Sequence, residues 1–165
     1  MIDIEATIQE AVKIAIREYD KEKKIENKRN VLHNTKLLMK HYTNLKSYSE
    51  KAIYKIEDIK ELEELKDESD KIYITSIMRS RIRTVIMVSH IETALDQLKE
   101  KKKLEGKYEQ YRALELFYIK KKKYEEIEEV FGCSKNTPGR WINEAIKDLS
   151  TFLFGLDALK IEGMV

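Results

Sequence analysis

Little in this chain stops a helix once it has begun. One proline and five glycines punctuate 165 residues, and these two residue types are the strongest local breakers of helix. Charged residues make up 38 % of the chain, and Lys, Glu, Ile and Leu dominate it. Such a composition favours helices with solvated faces. The expected fold class is all-α, a helical bundle. The length fits one domain, or one domain with a helical extension, and is enough to bury a core.

The spacing of apolar residues supports this reading along the chain. Ile4, Ile8, Ala11, Val12, Ala15, Ile16 and Tyr19 recur at helical intervals. The polar stretch DKEKKIENKRN, residues 20–30, is either a solvated helical connector or a break. A second stripe follows through Val31, Leu38, His41/Tyr42 and Leu45, interrupted at Asn34 and Thr35. Ile53, Ile56, Ile59, Leu62 and Leu65 repeat every three residues, too tightly for a regular helical stripe. This acidic region, ending in DESD, is the best candidate for a boundary. The longest periodic segment, 71 to about 103, carries Ile74, Ile77/Met78, Ile82, Val85/Ile86, Ser89, Ala94/Leu95 and Leu98. Gly106 ends it. In the same segment Arg79 and Arg83 share a face that Arg81 cannot join. Residues 107–119 give another helix with Tyr111, Leu114, Phe117 and Tyr118 inward, and Lys120–Lys123 form a loop.

The stretch Tyr124–Leu149, YEEIEEVFGCSKNTPGRWINEAIKDL, reads as helix, tight turn, helix. Ile127, Val130 and Phe131 share one face of the first helix. Gly132 breaks it, and Cys133 and Ser134 make the turn. Trp141, Ile142, Ala145 and Leu149 give the second helix its apolar face. Ser134 is one candidate cap for that helix, and Asn136 or Thr137 the other. Pro138 favours the later start, at 137 or 138, because a proline fits the first turn, where its missing N–H had no helical partner. Trp141 is expected half-buried. Two short amphipathic helices around a glycine turn form the helix-turn-helix unit, whose second helix enters the DNA major groove. The outward residues Lys135, Asn136, Thr137, Gly139, Arg140, Asn143 and Lys147 then face DNA. Arg suits a bidentate contact to guanine and Asn one to adenine. For Lys147 a solvated helix face is the plainer reading. Lys121 and Lys122, in the loop before the motif, are expected on phosphates.

Charge is unevenly spread. Residues 1–70 hold 14 Lys/Arg and 16 Asp/Glu, net −2; residues 71–123 hold 14 and 6, net +8; residues 124–165 hold 4 and 8, net −4. The basic middle sits directly before the helix-turn-helix, where local density attracts phosphate although the whole chain is only +2.

No constellation for catalysis stands out: there is no Gly-rich phosphate loop and no nucleophile with a base. The expectation is a protein that is not an enzyme and needs no cofactor. His33 and His41 have no accompanying carboxylate or cysteine ligand set, so no metal site is expected. The single cysteine forms no internal disulfide and suits a reducing cytoplasm. The opening MIDIEATIQEAVKIAI does not read as a signal peptide, and no apolar run approaches the roughly 20 residues of a membrane span.

Several stretches carry a resemblance. Glu126-Ile127, Phe131-Gly132-Cys133-Ser134, Thr137, Ala145 and Leu149 are spaced as in the helix-turn-helix of sigma-factor region 4. LHNTKLLMKHY, TSIMRSRIRTVIMVSHIETAL and above all the tail LSTFLFGLDAL resemble the ArpU-like and RinA-like phage transcriptional regulators. The likeness covers most of the chain. Glu128 departs from the motif, which usually has a small Ala there. Pro138 stands where a β-branched residue usually packs, and Gly139 follows it. The resemblance implies a phage or prophage activator of late genes for packaging or lysis, binding double-stranded promoter DNA in the cytoplasm of a bacterial host, with RNA polymerase as a further partner.

The expected organisation is an N-terminal helical arm, 1–70, and a helical core, 71–165. The core would hold a sigma region 4-like helix-turn-helix (helices about 124–131 and 137–150) and an apolar tail. That tail, Phe152–Leu159, should fold back onto the domain or bind a partner, since its large apolar residues would otherwise form an exposed patch. Two other functions compete with sequence-specific regulation. One is a DNA-packaging protein of small-terminase type; the other is a helical module that docks on RNA polymerase without touching DNA.

Overall fold

A computed structural model describes residues 4–53 and 68–155, and all regular structure within them is helical. The protein is all-α. Helix α1 spans Ile4–Ile53, α2 Glu68–Leu104 and α3 Tyr108–Leu114. A π-helical turn, Glu115–Ile119, continues α3. Helix α4 spans Tyr124–Phe131 and α5 Thr137–Phe154. No helix among the described residues is long and apolar enough to cross a membrane.

The first glycine of the chain is Gly106, and nothing ahead of it forces a break. The polar stretch 20–30 is accordingly a helical connector, and α1 runs unbroken for 50 residues, about 75 Å at 1.5 Å per residue. Among the described side chains those from 10 to 26 are exposed, as are Arg29 and Asn30, and the first covered ones are Val31 and Leu32. The buried stripe is Thr35, Met39, Tyr42 and Ser49: of the expected pair His41/Tyr42 it takes Tyr42, and Met39 takes the place expected for Leu38. Leu38 and Leu45 pack at its edge, and His33 and His41 face solvent. Two polar residues reach the interior because their own helix satisfies them. Thr35 Oγ1 donates to the Val31 carbonyl at 2.9 Å and Ser49 Oγ to that of Lys46 at 2.8 Å, so neither hydroxyl is buried unpaired.

In α2 the buried line runs through Val88, Ile91, Ala94, Leu95, Leu98 and Lys102. It keeps the expected Ala94, Leu95 and Leu98 but departs from the expected line ahead of them, where Ser89, Ile82 and Ile86 are exposed. Arg79 and Arg83 are exposed and Arg81 is partly covered, as their angular spacing requires. Helix α2 then ends at a turn in which Gly106 takes φ 67°, a left-handed conformation that costs glycine little.

One apolar cluster joins Met39 and Tyr42 of α1 to the second half of α2, to α3 and its π turn, and to Ile127, Ile142, Ala145, Ile146 and Leu149. The second half of α1 thus shares the core of the C-terminal helices. Tyr111, Leu114 and Tyr118 follow α-helical spacing, and Leu116 lies off that face, yet it too is buried. Ala113, three residues earlier, shares that second side and is also buried, so the helix is covered on two faces; the wider π turn is closed by Lys120 N–H donating to the Glu115 carbonyl at 3.0 Å.

Polar contacts fix the outer seams. Tyr42 Oη donates to Glu92 at 3.3 Å, and Lys46 meets the same carboxylate at 2.9 Å. Lys102, only 3 % exposed, lies 2.5 Å from Asp148 and donates to Gln110 Oε1 at 2.6 Å. Lys101 reaches Asp148 at 2.8 Å. Burial alone would push the Asp148 carboxyl up, but hydrogen bonds from Lys101 and Lys102 more than offset it and hold it below the usual carboxylate range. Of the apolar tail, Phe152 and Leu153 close α5 against the cluster; Leu156 and Leu159 lie outside the described residues, as does the acidic stretch 54–67.

Candidate nucleic-acid interface

Helices α4 and α5 are joined by a turn whose geometry follows from its residues. The Glu126 carboxylate accepts the backbone N–H of Lys123 at 2.8 Å, closing the first turn of α4. This bond, with the adjacent Lys122 ammonium, holds Glu126 below the usual carboxylate range. Gly132 ends the helix with φ 59°, and the N–H groups of Gly132 and Cys133 both return to the Glu128 carbonyl. That double closure is the left-handed glycine cap of a helix C-terminus.

Helix α5 begins at Thr137, after a turn in which Thr137 N–H donates to the Ser134 carbonyl at 2.9 Å. The Ser134 and Thr137 hydroxyls lie 2.8 Å apart, so Ser134 locks the turn and does not cap α5. Pro138 sits buried in the first turn, the place where its lack of an N–H costs nothing. The two helices meet through Ile127 and Ile142, both buried, with the half-buried Trp141 edge-on to Phe131 at 5.2 Å between ring centroids. Trp141 is therefore part of the packing.

With that face buried, the opposite face of α5 is set. Lys135, Asn136, Arg140, Asn143 and Lys147 are exposed, and Thr137 is half-buried with its hydroxyl engaged by Ser134. At Gly139 an added Cβ would meet nothing within 4 Å, so the start of α5 presents open space there. Lys147 is paired with Glu144 at 2.9 Å. No hydrogen bond among the described residues ties the side chain of Arg140 or Asn143.

The loop lysines differ from one another. Lys122 is paired with Glu126 at 2.9 Å. Lys121 adopts φ 56°, the left-handed region that favours glycine, and its ammonium donates to the Lys40 carbonyl on α1 at 3.2 Å. The loop is thereby tethered to the first helix.

Helix α1 also stands beside α5. Arg140, Asn143, Glu144 and Lys147 line one side of a cleft of about 500 Å³, and Leu32 and Lys36 the other. A second cleft of about 440 Å³ has Lys36, Lys40 and Lys121 together with Leu37, Phe117 and Tyr118 in its lining. The face of α5 read from sequence thus has a neighbour roughly a hundred residues earlier in the chain. No local signal joins Lys36 and Lys40 to it, since only the tertiary packing of α1 does so.

No protein-family model matches the chain, and no curated protein or solved structure matches it. No group of acidic, histidine or cysteine side chains among the described residues is arranged to hold a metal ion.

Proposed function

We propose that the protein is a sequence-specific DNA-binding transcription regulator in which α4 and α5 act as a helix-turn-helix and α5 reads the major groove. The observation that carries this reading is the division of α5. Its inner face is buried through Ile142, Ala145, Ile146 and Leu149, while Arg140 and Asn143 stand exposed and untethered on the outer one. Those two side-chain types form the bidentate contacts that distinguish guanine and adenine. The basic loop before α4 supplies the phosphate attraction that such a domain needs. The likeness of the LFGLDAL region to phage regulators narrows the proposal to a phage or prophage activator of late genes, acting in a bacterial cytoplasm with RNA polymerase as a further partner. Selection of bound duplexes from a random pool tests it. Recovery of one consensus, with affinity falling steeply as salt rises, supports the reading; an unenriched pool sinks it.

One observation favours the packaging alternative. Val12, Ile16 and Tyr19 on α1 are 51 %, 56 % and 63 % exposed, and apolar surface of this kind suits self-association. Light scattering separates the two, since a ring of many subunits belongs to a packaging protein and a monomer or dimer to a regulator.

A further inference from the structure

The two clefts beside α1 share Lys36 and meet along the same side of that helix. Their rims carry Lys36, Lys40, Lys121, Arg140 and Lys147, all exposed. The one carboxylate among the described lining residues, Glu144, is already paired with Lys147. Neither Lys36 nor Lys40 is paired with an acid among the described residues. They lie one helical turn apart, a rise of about 6 Å, close to the separation of neighbouring phosphates on one strand. The apolar part of the second cleft's lining is Leu37, Phe117 and Tyr118. Cations over a low-dielectric wall concentrate their field toward an incoming anion.

Resting on the reading of α5 as the groove-entering helix, we propose that α1 is part of the DNA interface and that Lys36 and Lys40, with Lys121, form a track for the phosphodiester backbone beside the groove that α5 enters. The geometry leaves α1 no neutral role. It forms the wall facing Arg140 and Asn143, so a duplex seated on those residues meets Lys36 at once. Either α1 holds the backbone or it stands in the way. The sign of its side chains at this place selects the first. The tether from Lys121 to the Lys40 carbonyl keeps the loop and the helix in one register, so that the three cations act as a unit.

The test uses the full chain and a labelled duplex of random sequence, about 30 base pairs long, because phosphate contacts are blind to sequence. Lys36→Gln together with Lys40→Gln should weaken binding about tenfold and reduce the slope of log affinity against log salt by about 0.9 for each phosphate no longer neutralised. Both side chains are exposed, so the melting curve should not move; Lys36→Arg with Lys40→Arg keeps the charge and should bind as wild type. Lys13→Gln with Lys21→Gln removes two exposed charges elsewhere on α1 and should change little. Unchanged affinity in the first variant overturns the proposal, as does an equal loss in the Lys13/Lys21 control. Tighter binding also overturns it, because α1 would then be an obstruction. If the wild-type chain binds no duplex at any salt concentration, the failure lies with the DNA reading itself.

Discussion

Two runs of lysine flank α3, and the fold puts them to opposite uses. Lys101–Lys103 closes α2, and two of its members are held by an acid on another helix. Lys101 and Lys102 grip Asp148 of α5, Lys102 is almost fully buried, and Lys103 is paired with Glu100 at 2.9 Å. Lys120–Lys123 lies in an exposed loop with one ion pair, Lys122 to Glu126, and one tether, Lys121 to α1. In sequence the two runs are alike. What separates them is the carboxylate on α5, 46 residues beyond Lys102. Where the fold buries a lysine against an acid, as at Lys102, the lysine is fixed in the structure; the lysines of the second run stay exposed to solvent.

The largest effect expected from this contrast is at Asp148. Asp148→Asn leaves Lys102 buried without its main counter-charge, and removing one partner of a buried pair is strongly destabilising. Glu105 remains 3.6 Å from Lys102, so the loss should be about 3 kcal/mol, the low end for such a change, measured by urea unfolding at neutral pH. The same site sets an acid limit. The folded Asp148 carboxyl is held below its unfolded value. Its contribution is therefore present above the unfolded value and is lost as pH falls through the folded one, below about pH 4. Wild type should lose this stability on acidification while Asp148→Asn lacks the component. Identical acid unfolding curves would show that the first lysine run is not structural.

Next in size is Arg140→Ala, which asks whether the unpaired cations do select DNA. A bidentate base contact is worth roughly 1–3 kcal/mol of discrimination, so the variant should lose preference for a selected duplex and keep its affinity for a scrambled one. Equal losses on both duplexes would reduce Arg140 to a phosphate contact.

Much of the local structure behind this contrast is legible in the sequence. The scarcity of glycine and proline gives the all-α class, Gly106 the end of α2, Gly132 the end of α4 and Pro138 the late start of α5. Each is a local rule, and local rules survive folding. What fails is whatever depends on a partner. Thr35 looks like an interruption because a hydroxyl counts as polar, yet it bonds its own helix and enters the core, as Ser49 does. Val88 and Ile91, and not Ser89, face inward because α1, α3 and α5 together choose which side of α2 is covered. Leu116 and Ala113 are buried because α3 and its π turn are covered on two faces, which a single apolar stripe does not announce. The candidate interface divides the same way. The exposed face of α5 follows from its own apolar stripe, whereas the facing wall of α1 has no trace near it in the chain.

A smaller effect should appear at Lys121, and with the opposite sign to Asp148. Its left-handed backbone costs a non-glycine residue about 1–2 kcal/mol. Lys121→Gly removes that cost and gives up one exposed hydrogen bond to the Lys40 carbonyl, so the protein should gain about 0.5 kcal/mol, since an exposed bond of this kind contributes less than the strain. Thermal melting decides it. A protein that loses stability on this change would show the loop lysine acting as a structural residue like Lys102, and the contrast between the two runs would fail.

The smallest effect sharpens the contrast within the second run. Lys122 and Glu126 are paired, but the side chains are 47 % and 44 % exposed, and water and salt screen such surface pairs. Glu126 also keeps its bond from the Lys123 N–H without help from Lys122, so the cap of α4 survives Lys122→Gln and the melting curve should barely move. On DNA the same variant separates two ideas about the loop. If pairing withholds Lys122 from phosphate, the salt slope should be nearly that of wild type. A slope reduced by about 0.9, the full contribution of one phosphate contact, would mean that Lys122 exchanges Glu126 for the backbone when DNA arrives. The dividing line would then be burial alone: Lys102 stays with its acid because it has no route to solvent, and any exposed lysine, paired or not, is available to the ligand.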